Sequence, residues 1–436
     1  MKIFLDMVGC RLNQAEIEKI AGEFRAESHS IVASAAEADL VVINTCVVTA
    51  EAASDSRQKI RQAGKKGAQQ ILVTGCWSTL QPSLAAELPN VIKVISNEKK
   101  DRLVRDYLGL SPINRQDAFA DPSTSNIAFE HEPISRERLP GLRGRTRAFI
   151  KVQDGCDNTC TFCITTIARG AGQSRGELDV LEDIQAAWLG GAKEVVLTGV
   201  HLGSWGREQN QHLKKLISTI LAETEIPRIR LSSLEPWDLD ADFFELWRDQ
   251  RLCAHLHLPL QSGSNATLKR MLRKTSAESF QNLVESARAS IPNVAISTDI
   301  IAGFPGESEK EFAETLAFVE KMKFAGGHVF TYSPRPGTAA ARMRDQIPNP
   351  LRRERSHLLG AVLQKSSEEF RTSQIDQVQN VLWEGSSALS EDGWKLEGLS
   401  DNYVRVYAQS PQPRWNEIDQ VKLTGLKDGG MSGIIL

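Results

Sequence analysis

The chain has 436 residues, of which 41% are hydrophobic and 25% charged, and its formal net charge is −3. This composition is typical of globular proteins and excludes a disordered, collagen-like or low-complexity chain. At about 100–200 residues per domain, the length predicts two to four domains, each large enough to bury a core. Because there is no apolar run of about 18 residues and no secretory leader, the sequence predicts a cytoplasmic protein without a membrane partner.

The first 110 residues predict an α/β domain. Apolar runs alternate there with amphipathic helical patterns, which favours a parallel sheet with helices on its faces. A cysteine follows each of the first three predicted strands, KIFLDMV, DLVVINT and QQILVTG. Because the carboxyl ends of parallel strands meet at one sheet edge, we expect Cys10, Cys46 and Cys76 to lie close together. The alternative is that all three are buried structural cysteines, which are common.

Three further segments complete the predicted architecture. Residues 111–139 are rich in proline and polar residues and predict a linker. Residues 140–371 contain six strand patterns with intervening helices, which predicts a partial (β/α)6 barrel with its site at the strand carboxyl ends. Residues 372–436 carry short strand patterns separated by turn signals, which predicts a small β-barrel. The predicted fold class is therefore α/β, with a terminal β-barrel.

A tight loop after the first barrel strand carries Cys156, Cys160 and Cys163. The odd total of seven cysteines in a large chain argues against a disulfide framework. Thiolates are the natural ligands of iron–sulfur clusters, and three of them on a four-iron cluster leave one iron open to a small molecule. The alternatives are a zinc site, which needs a fourth ligand, and a redox disulfide.

The Cys-x-x-x-Cys-x-x-Cys spacing, with an aromatic residue before the last cysteine, resembles the radical S-adenosylmethionine (SAM) superfamily. Nearly the whole chain is similar to the methylthiotransferases of that superfamily. GCRLNQAE, VVINTCVVTAEA and VTGCW resemble their amino-terminal domain, and HLPLQSGSNATLKRML and STDIIAGFPGE resemble their core. The terminal segment resembles a TRAM domain, a small RNA-binding barrel. RLNQ, NTCVVTAEA and ARG…SR are most similar to the branch that acts on threonylcarbamoyladenosine in tRNA.

The resemblance implies two [4Fe-4S] clusters, one on each set of three cysteines, and two SAM molecules per turnover. One SAM would methylate a sulfur species at the first cluster. The other, cleaved at the second cluster, would give a 5′-deoxyadenosyl radical that activates carbon 2 of the adenine. The implied partners are the tRNA anticodon stem-loop, a flavodoxin-like electron donor and a sulfide source. We predict no catalytic general base, because none is identifiable, and we expect both clusters to face one central cavity.

Several loop residues are further candidates for the SAM site. Phe162 would lie beside the adenine of SAM, by resemblance. Glycines after the second and fifth barrel strands permit close backbone approach to a ligand, although loop glycines often serve only as turns. A guanidinium group suits the SAM carboxylate or an RNA phosphate, but an exposed arginine can equally be solvated. The predicted cofactor-binding residues are Phe162, Arg169, Arg175, Gly199, Gly203, Gly303 and Gly306.

Cys253, His255 and His257 alternate along the strand pattern HLHLPL. Period-two spacing places all three on one barrel face, where hydrogen-bonded core histidines are a better interpretation than a metal site. Gln261 and Ser262, at the carboxyl end of the same strand, are better placed for substrate contact.

Charge is distributed unevenly along the chain. Residues 140–175 carry six Lys/Arg against two Asp/Glu, and residues 342–371 carry seven against four, so either segment suits phosphate contact. Residues 372–436 carry five against nine, so this barrel would bind RNA through one face containing Arg405, Lys422 or Tyr403, or would contact a protein instead.

Three other functions stay open at the level of sequence. Sister branches of the methylthiotransferases modify isopentenyladenosine in tRNA or an aspartate of a ribosomal protein. A non-catalytic iron–sulfur RNA-binding protein is the alternative from a different class.

Overall fold

The computed structural model describes residues 1–110, 146–390 and 393–436. The predicted linker, residues 111–139, lies outside the described residues. The described chain contains a parallel-sheet unit, a partial barrel and a closed β-barrel, which confirms the predicted fold class. No helix within these ranges is long and apolar enough to cross a bilayer.

The first unit is an α/β sheet domain. Its strands are β1 (Lys2–Met7), β2 (Ser30–Ile31), β3 (Leu40–Thr45), β4 (Ile71–Gly75) and β5 (Val91–Ile95). Its helices are α1 (Arg11–Ala26), α2 (Ala50–Lys65), α3 (Cys76–Leu80), α4 (Pro82–Ala86) and α5 (Leu103–Leu108). All strands are parallel, in the order β2-β1-β3-β4-β5. Strands β3 and β4 are buried throughout, as expected for apolar strands covered on both faces.

The second unit is the partial barrel. Its strands are β6 (Arg147–Lys151), β7 (Gln153–Asp154), β8 (Gln173–Ser174), β9 (Glu194–Thr198), β10 (Arg228–Leu231), β11 (His255–His257), β12 (Ala295–Ala302) and β13 (Gly326–Thr331). Its helices are α6 (Thr165–Arg169), α7 (Glu177–Leu189), α8 (Leu213–Glu223), α9 (Asn265–Arg270), α10 (Ala277–Ser290), α11 (Glu309–Met322) and α12 (Asn349–Ser373). Two parallel sheets, β6-β9-β10 and β11-β12-β13, meet through the bridge between Ser233 and His257. The six main strands therefore form an open barrel.

The sequence patterns of residues 238–250 and 265–290 each predict one helical stretch, and both differ from the structure. The stretch after β10 is a 3-10 helix, Ala241–Arg248, which buries Phe243 and Phe244. The long pattern from residue 265 is two helices, because Leu272 takes a left-handed φ of 56° and Ser276 then caps the start of α10.

The third unit is a closed antiparallel barrel with one parallel pair. Its strands are β14 (Val378–Ser390), β15 (Gly393–Ser400), β16 (Arg405–Ser410), β17 (Ile418–Lys427) and β18 (Gly430–Ile435). They follow the order β14-β15-β16-β18-β17, and β14 pairs with β17 to close the barrel. The strand pattern of residues 417–436 is divided into β17 and β18 by a turn at Asp428 and Gly429, both with positive φ.

Candidate active site

A cavity of about 850 Å³ lies where the three units meet. Its wall contains the cysteines of the first unit, the carboxyl ends of β9 and β10, inward residues of β11–β13 and the end of α12. The loop Asn402–Arg405 of the terminal barrel completes it. A volume in this range suits a ligand of nucleoside size or larger.

The first three cysteines gather at one edge of the first sheet. Cys46 and Cys76 directly follow β3 and β4, and Cys10 precedes α1. These thiols all line the cavity. Gly9, with φ +111°, passes so close to Cys46 that an added Cβ would lie 2.7 Å from its Sγ. Burial raises the pKa of Cys46 to about 11, and the neighbouring thiols add to the shift.

Arg169, at the end of α6, connects this thiol set to the partial barrel. Its Nε lies 3.3 Å from Cys76 Sγ, and its Nη2 donates to Asn13 Oδ1 at 2.8 Å. Its Nη1 donates to Glu16 and to Asp154, each at 2.8 Å. The guanidinium is buried and has protein partners on both units, so the structure shows it as a bridge. Its contact with SAM or RNA stays a prediction.

A buried lysine completes this ion cluster. Lys100 Nζ lies 2.7 Å from Glu16 Oε2, and both side chains are almost inaccessible. Burial opposes ionisation of the carboxyl, but Arg169 and Lys100 hold the pKa of Glu16 well below its usual range. The position of Arg169 beside Cys76 is therefore set by a charge arrangement that the motif alone does not reveal.

The second cysteine set lies on a loop that is fixed by backbone hydrogen bonds. The amide of Cys163 donates to the Cys160 carbonyl at 3.1 Å, and Thr161 donates to the Met271 carbonyl. Arg273 Nη1 lies 3.8 Å from Cys160 Sγ. Burial raises the pKa of Cys160, whereas the charge of Arg273 opposes that rise and favours the thiolate.

A buried histidine beside Cys156 was not predicted from the sequence. His201 Nε2 lies 2.5 Å from Asp238 Oδ2, and Asn158 contacts its other ring nitrogen at 3.3 Å. Burial alone would lower the pKa of His201, but its hydrogen bonds to Asp238 and Cys156 raise that pKa to about 9. An added Cβ on Gly203 would lie 2.5 Å from Asp238 Oδ2, so this predicted SAM-site glycine makes room for the ion pair.

Three of the other predicted SAM-site residues lie together. Phe162 packs edge-on against Phe304, with ring centroids 6.5 Å apart. Gly303 and Gly306 flank Phe304 and have φ values of +72° and +75°, which only glycine adopts readily. An added Cβ on Gly303 would overlap with Arg352. Their contact with SAM stays a prediction.

The remaining predicted residues have contacts within the partial barrel. An added Cβ on Gly199, which lines the cavity, would lie 3.0 Å from the Gln153 side chain. Arg175 pairs with Asp183 at 2.5 Å. The SAM contacts predicted for Gly199 and Arg175 likewise stay predictions.

The strand residues His255 and His257 line the cavity on its polar side. Ser297 Oγ lies 3.1 Å from His255 Nε2 and 3.0 Å from His257 Nδ1. His257 Nε2 lies 3.2 Å from Asp299. Burial lowers the pKa of His255 well below its usual range, so this ring is neutral near pH 7. Within the described residues, no three His, Cys, Asp or Glu side chains stand close enough to hold a single metal ion.

Cys253 belongs to a different, buried group below these histidines. Its Sγ lies 3.9 Å from Glu194, which pairs with Arg228 at 3.0 Å and Arg230 at 2.8 Å. Both guanidinium groups also donate to main-chain carbonyls of the terminal barrel. Cys253 therefore lies in the contact between the two barrels.

Tyr403 extends from the terminal barrel into the cavity. Its ring stacks on His255 with centroids 4.4 Å apart, and Arg230 lies 4.9 Å above the ring. Arg11 of the first unit donates to its hydroxyl. Tyr403 has φ +64°, a conformation that is uncommon outside glycine, so packing holds it in place. One side chain thus contacts all three units.

The residues of both thiol sets fit iron–sulfur clusters. Each set offers three thiols, and each has a guanidinium beside one sulfur, Arg169 at Cys76 and Arg273 at Cys160. Each cysteine of a four-iron cluster binds a different iron, so the thiols need not converge on one ion. Helix α6 links the sets, since it starts just after Cys163 and ends at Arg169. Among the described lining residues are all three thiols of the first set and none of the second, so the expectation that both clusters face one central cavity is not confirmed for the second set.

Comparisons with known proteins identify the family of this chain. One family model, described as Uncharacterized protein family UPF0004, matches residues 2–96, and the Radical SAM superfamily model matches residues 150–319. A Bacillus subtilis (strain 168) protein, Threonylcarbamoyladenosine tRNA methylthiotransferase MtaB, is 35% identical over 95% of this chain and 92% of its own length. The chain belongs to the radical SAM methylthiotransferase family. A [4Fe-4S] cluster and SAM are therefore its cofactors, as predicted.

Further comparisons agree with this family. A Thermotoga maritima methylthiotransferase with the same name as the B. subtilis protein is 32% identical over 98% of this chain and 95% of its own length. A Staphylococcus haemolyticus tRNA-2-methylthio-N(6)-dimethylallyladenosine synthase is 30% identical over 98% of this chain and 83% of its own length. Among solved structures, the radical S-adenosylmethionine methyltransferase TsrM from Kitasatospora setae matches with a TM-score of 0.56 at 14% identity, covering 78% of this chain and 75% of its own. That match shows the shared fold.

Proposed function

We propose that this methylthiotransferase acts on threonylcarbamoyladenosine beside the tRNA anticodon and attaches a methylthio group to carbon 2 of the adenine. The relatives named for this substrate are 35% and 32% identical, against 30% for the dimethylallyladenosine synthase. The observation that carries the proposal is the polar side of the cavity. A threonylcarbamoyl group has a carboxylate, a hydroxyl and amide groups, whereas an isopentenyl group is a hydrocarbon without hydrogen-bonding atoms.

The residues on that side suit the polar group. His255, His257 and Asp299 line it together with Ser297. Of their polar atoms, His255 Nδ1 and Asp299 Oδ1 have no hydrogen-bond partner in the protein. Burying an isopentenyl group against them would leave these two atoms without water or a partner, which costs about 1–3 kcal/mol for each atom. A site whose polar atoms are used by one substrate rejects an analogue that lacks the matching groups.

The proposal includes a second cluster, held by Cys10, Cys46 and Cys76. When bound, the first cluster would hold the sulfur species, and SAM would supply its methyl group and the adenosyl radical. The residues of the chain itself position these groups. Arg169 donates to the Cys76 sulfur and ties the first unit to α6. Tyr403 lines the cavity from the third unit, where its ring would help to exclude the water from which a reactive radical must be shielded.

The cavity also limits which part of a tRNA can be recognised. An adenine must leave its stack to enter a cavity lined by all three units, which suits an unpaired anticodon loop. The electron donor and the sulfide source implied by the resemblance remain predictions.

The direct test is an anaerobic assay of the reconstituted protein with SAM and dithionite. The substrates are two anticodon stem-loops that differ only in carrying threonylcarbamoyladenosine or isopentenyladenosine. We expect the methylthio product, detected by nucleoside mass spectrometry, from the first substrate. Product from the isopentenyl RNA alone would contradict the proposal, as would an unchanged methylthio nucleoside in tRNA from a deletion strain.

A further inference from the structure

One arginine of the cavity wall has a buried nitrogen that no other described residue satisfies. Arg371 lies in the last turn of α12 and lines the cavity. Its Nη1 donates to Ser367 Oγ at 2.6 Å, and its Nε is buried without a hydrogen-bond partner. A buried guanidinium nitrogen without a partner is a position that an acceptor atom of a ligand can satisfy.

The other arginines of the same wall are engaged. Arg169 binds Glu16 and three other protein groups, and Arg405 pairs with Glu397. Arg11 donates to the Tyr403 hydroxyl. Among the arginines of the described wall, Arg371 alone has a buried nitrogen without a hydrogen-bond partner, so it is the guanidinium best able to accept an anionic ligand.

A second buried atom in the cavity wall also lacks a partner. His255 is 3% exposed, and its Nδ1 makes no hydrogen bond, although Nε2 contacts Ser297. Native structures leave few buried polar atoms unpaired, and an unpaired one is often satisfied by a ligand or water. Ser232 Oγ and Asp299 Oδ1 on the same cavity are also unpaired. Of these atoms, Arg371 Nε calls for an anionic group of a ligand, and the others call for neutral polar groups.

We propose that Arg371 binds the carboxylate of the threonylcarbamoyl group and that His255 Nδ1 hydrogen-bonds a neutral polar atom of the same group. This assignment rests on the proposed function and adds its specificity determinant. A guanidinium pairs with a carboxylate through two parallel hydrogen bonds, which a hydrocarbon substituent cannot accept. The methionyl carboxylate of SAM has the same chemistry, so the test separates the two sources.

The experiment compares wild type with Arg371→Ala and with Arg353→Ala, a control at an exposed position of the same helix. Each reconstituted protein is given stem-loops carrying threonylcarbamoyladenosine, its threonine-carboxamide analogue, or isopentenyladenosine. For wild type, we expect kcat/KM to fall roughly 10- to 100-fold when the carboxylate becomes an amide, the effect of one charged hydrogen bond. Arg371→Ala should lose a similar factor on the acid and should no longer distinguish acid from amide.

Two readouts make the outcome decisive. Cleavage of SAM to 5′-deoxyadenosine without RNA should be the same in all three proteins, and a raised KM for SAM in Arg371→Ala would assign the arginine to SAM and overturn the proposal. Equal activity of wild type on acid and amide would also overturn it, and needs no variant. If wild type acts on the isopentenyl RNA alone, the proposed function itself fails, and the carboxylate site with it.

Discussion

At Gly203 the backbone passes so close to Asp238 that a side chain has no room. The added methyl of Gly203→Ala would lie 2.5 Å from the carboxylate that holds His201. We expect the substitution to lower the free energy of unfolding by about 1–3 kcal/mol, the usual cost of overpacking. Urea unfolding of the protein without cofactors measures it.

The control is Gly22→Ala, in the middle of α1, where an added Cβ meets nothing within 4 Å. It should raise stability by roughly 0.5–1 kcal/mol through helix propensity. If both variants unfold like wild type, the close contact at Gly203 has no energetic weight, and a role at the SAM site becomes the better explanation of this glycine.

At the scale of single residues, the position of the first cysteine set could be predicted from the sequence, but the side chains that contact the cysteines could not. Spacing and strand ends predicted the first set, because those signals are local in the chain. The pairing of Arg169 with Glu16 joins residues about 150 positions apart, so no periodicity encodes it. His201 and Asp238 are 37 positions apart, and no periodicity of the sequence encodes their pairing either. Tyr403 appeared in the sequence only as an aromatic candidate for RNA, yet it lies inside the cavity.

Among the elements, the loop between β15 and β16 joins the terminal barrel to the rest of the molecule through Tyr403. Tyr403→Phe keeps the ring on His255 and loses only the hydroxyl that accepts from Arg11. We expect a loss of about 1 kcal/mol in the free energy of unfolding. Tyr403→Ala removes the ring from the contact of three units and should cost roughly 2–4 kcal/mol, allowing for incomplete burial.

Thermal unfolding and limited proteolysis distinguish these two variants. Tyr403→Ala should expose the segment between α12 and β14 to protease at lower temperature than wild type, whereas Tyr403→Phe should not. Equal resistance of all three proteins would mean that Tyr403 does not hold the terminal barrel.

The main strands of the first two units were predictable because apolar runs with helices between them have few alternatives. The edge strand β2 was not, since two residues carry no period. The 3-10 helix at Ala241–Arg248 was predicted only as helical, because its buried phenylalanines follow a helix-like pattern whichever helix forms. Closure of the terminal barrel depends on the pairing of its first strand with β17, which is non-local and has no sequence signature.

At the scale of the whole molecule, the contact between the partial barrel and the terminal barrel depends on the negative charge of Glu194. Burial alone would raise its pKa, but Arg230 and Arg228 lower it to about 2 in the folded chain. The unfolded value is about 4.3, so the ionised carboxylate stabilises the fold above that pH, and this stability is lost as the pH falls toward 2.

Glu194→Gln should therefore lower the free energy of unfolding at pH 7 by roughly 3–5 kcal/mol, because it leaves two buried guanidinium groups without a counter-charge. It should also flatten the loss of stability between about pH 5 and pH 3 that wild type shows. Glu245→Gln, in an exposed pair with Arg248, is the matched control and should behave like wild type. Parallel pH profiles for wild type and Glu194→Gln would show that Glu194 has no such role.

The proposed function depends most on the first unit holding a cluster of its own beside the cavity. Iron and acid-labile sulfide per chain, measured after anaerobic reconstitution, test this directly. Two four-iron clusters predict about eight of each for wild type, and about four of each for Cys46→Ala and for Cys163→Ala. About four of each in wild type, unchanged in Cys46→Ala, would contradict it.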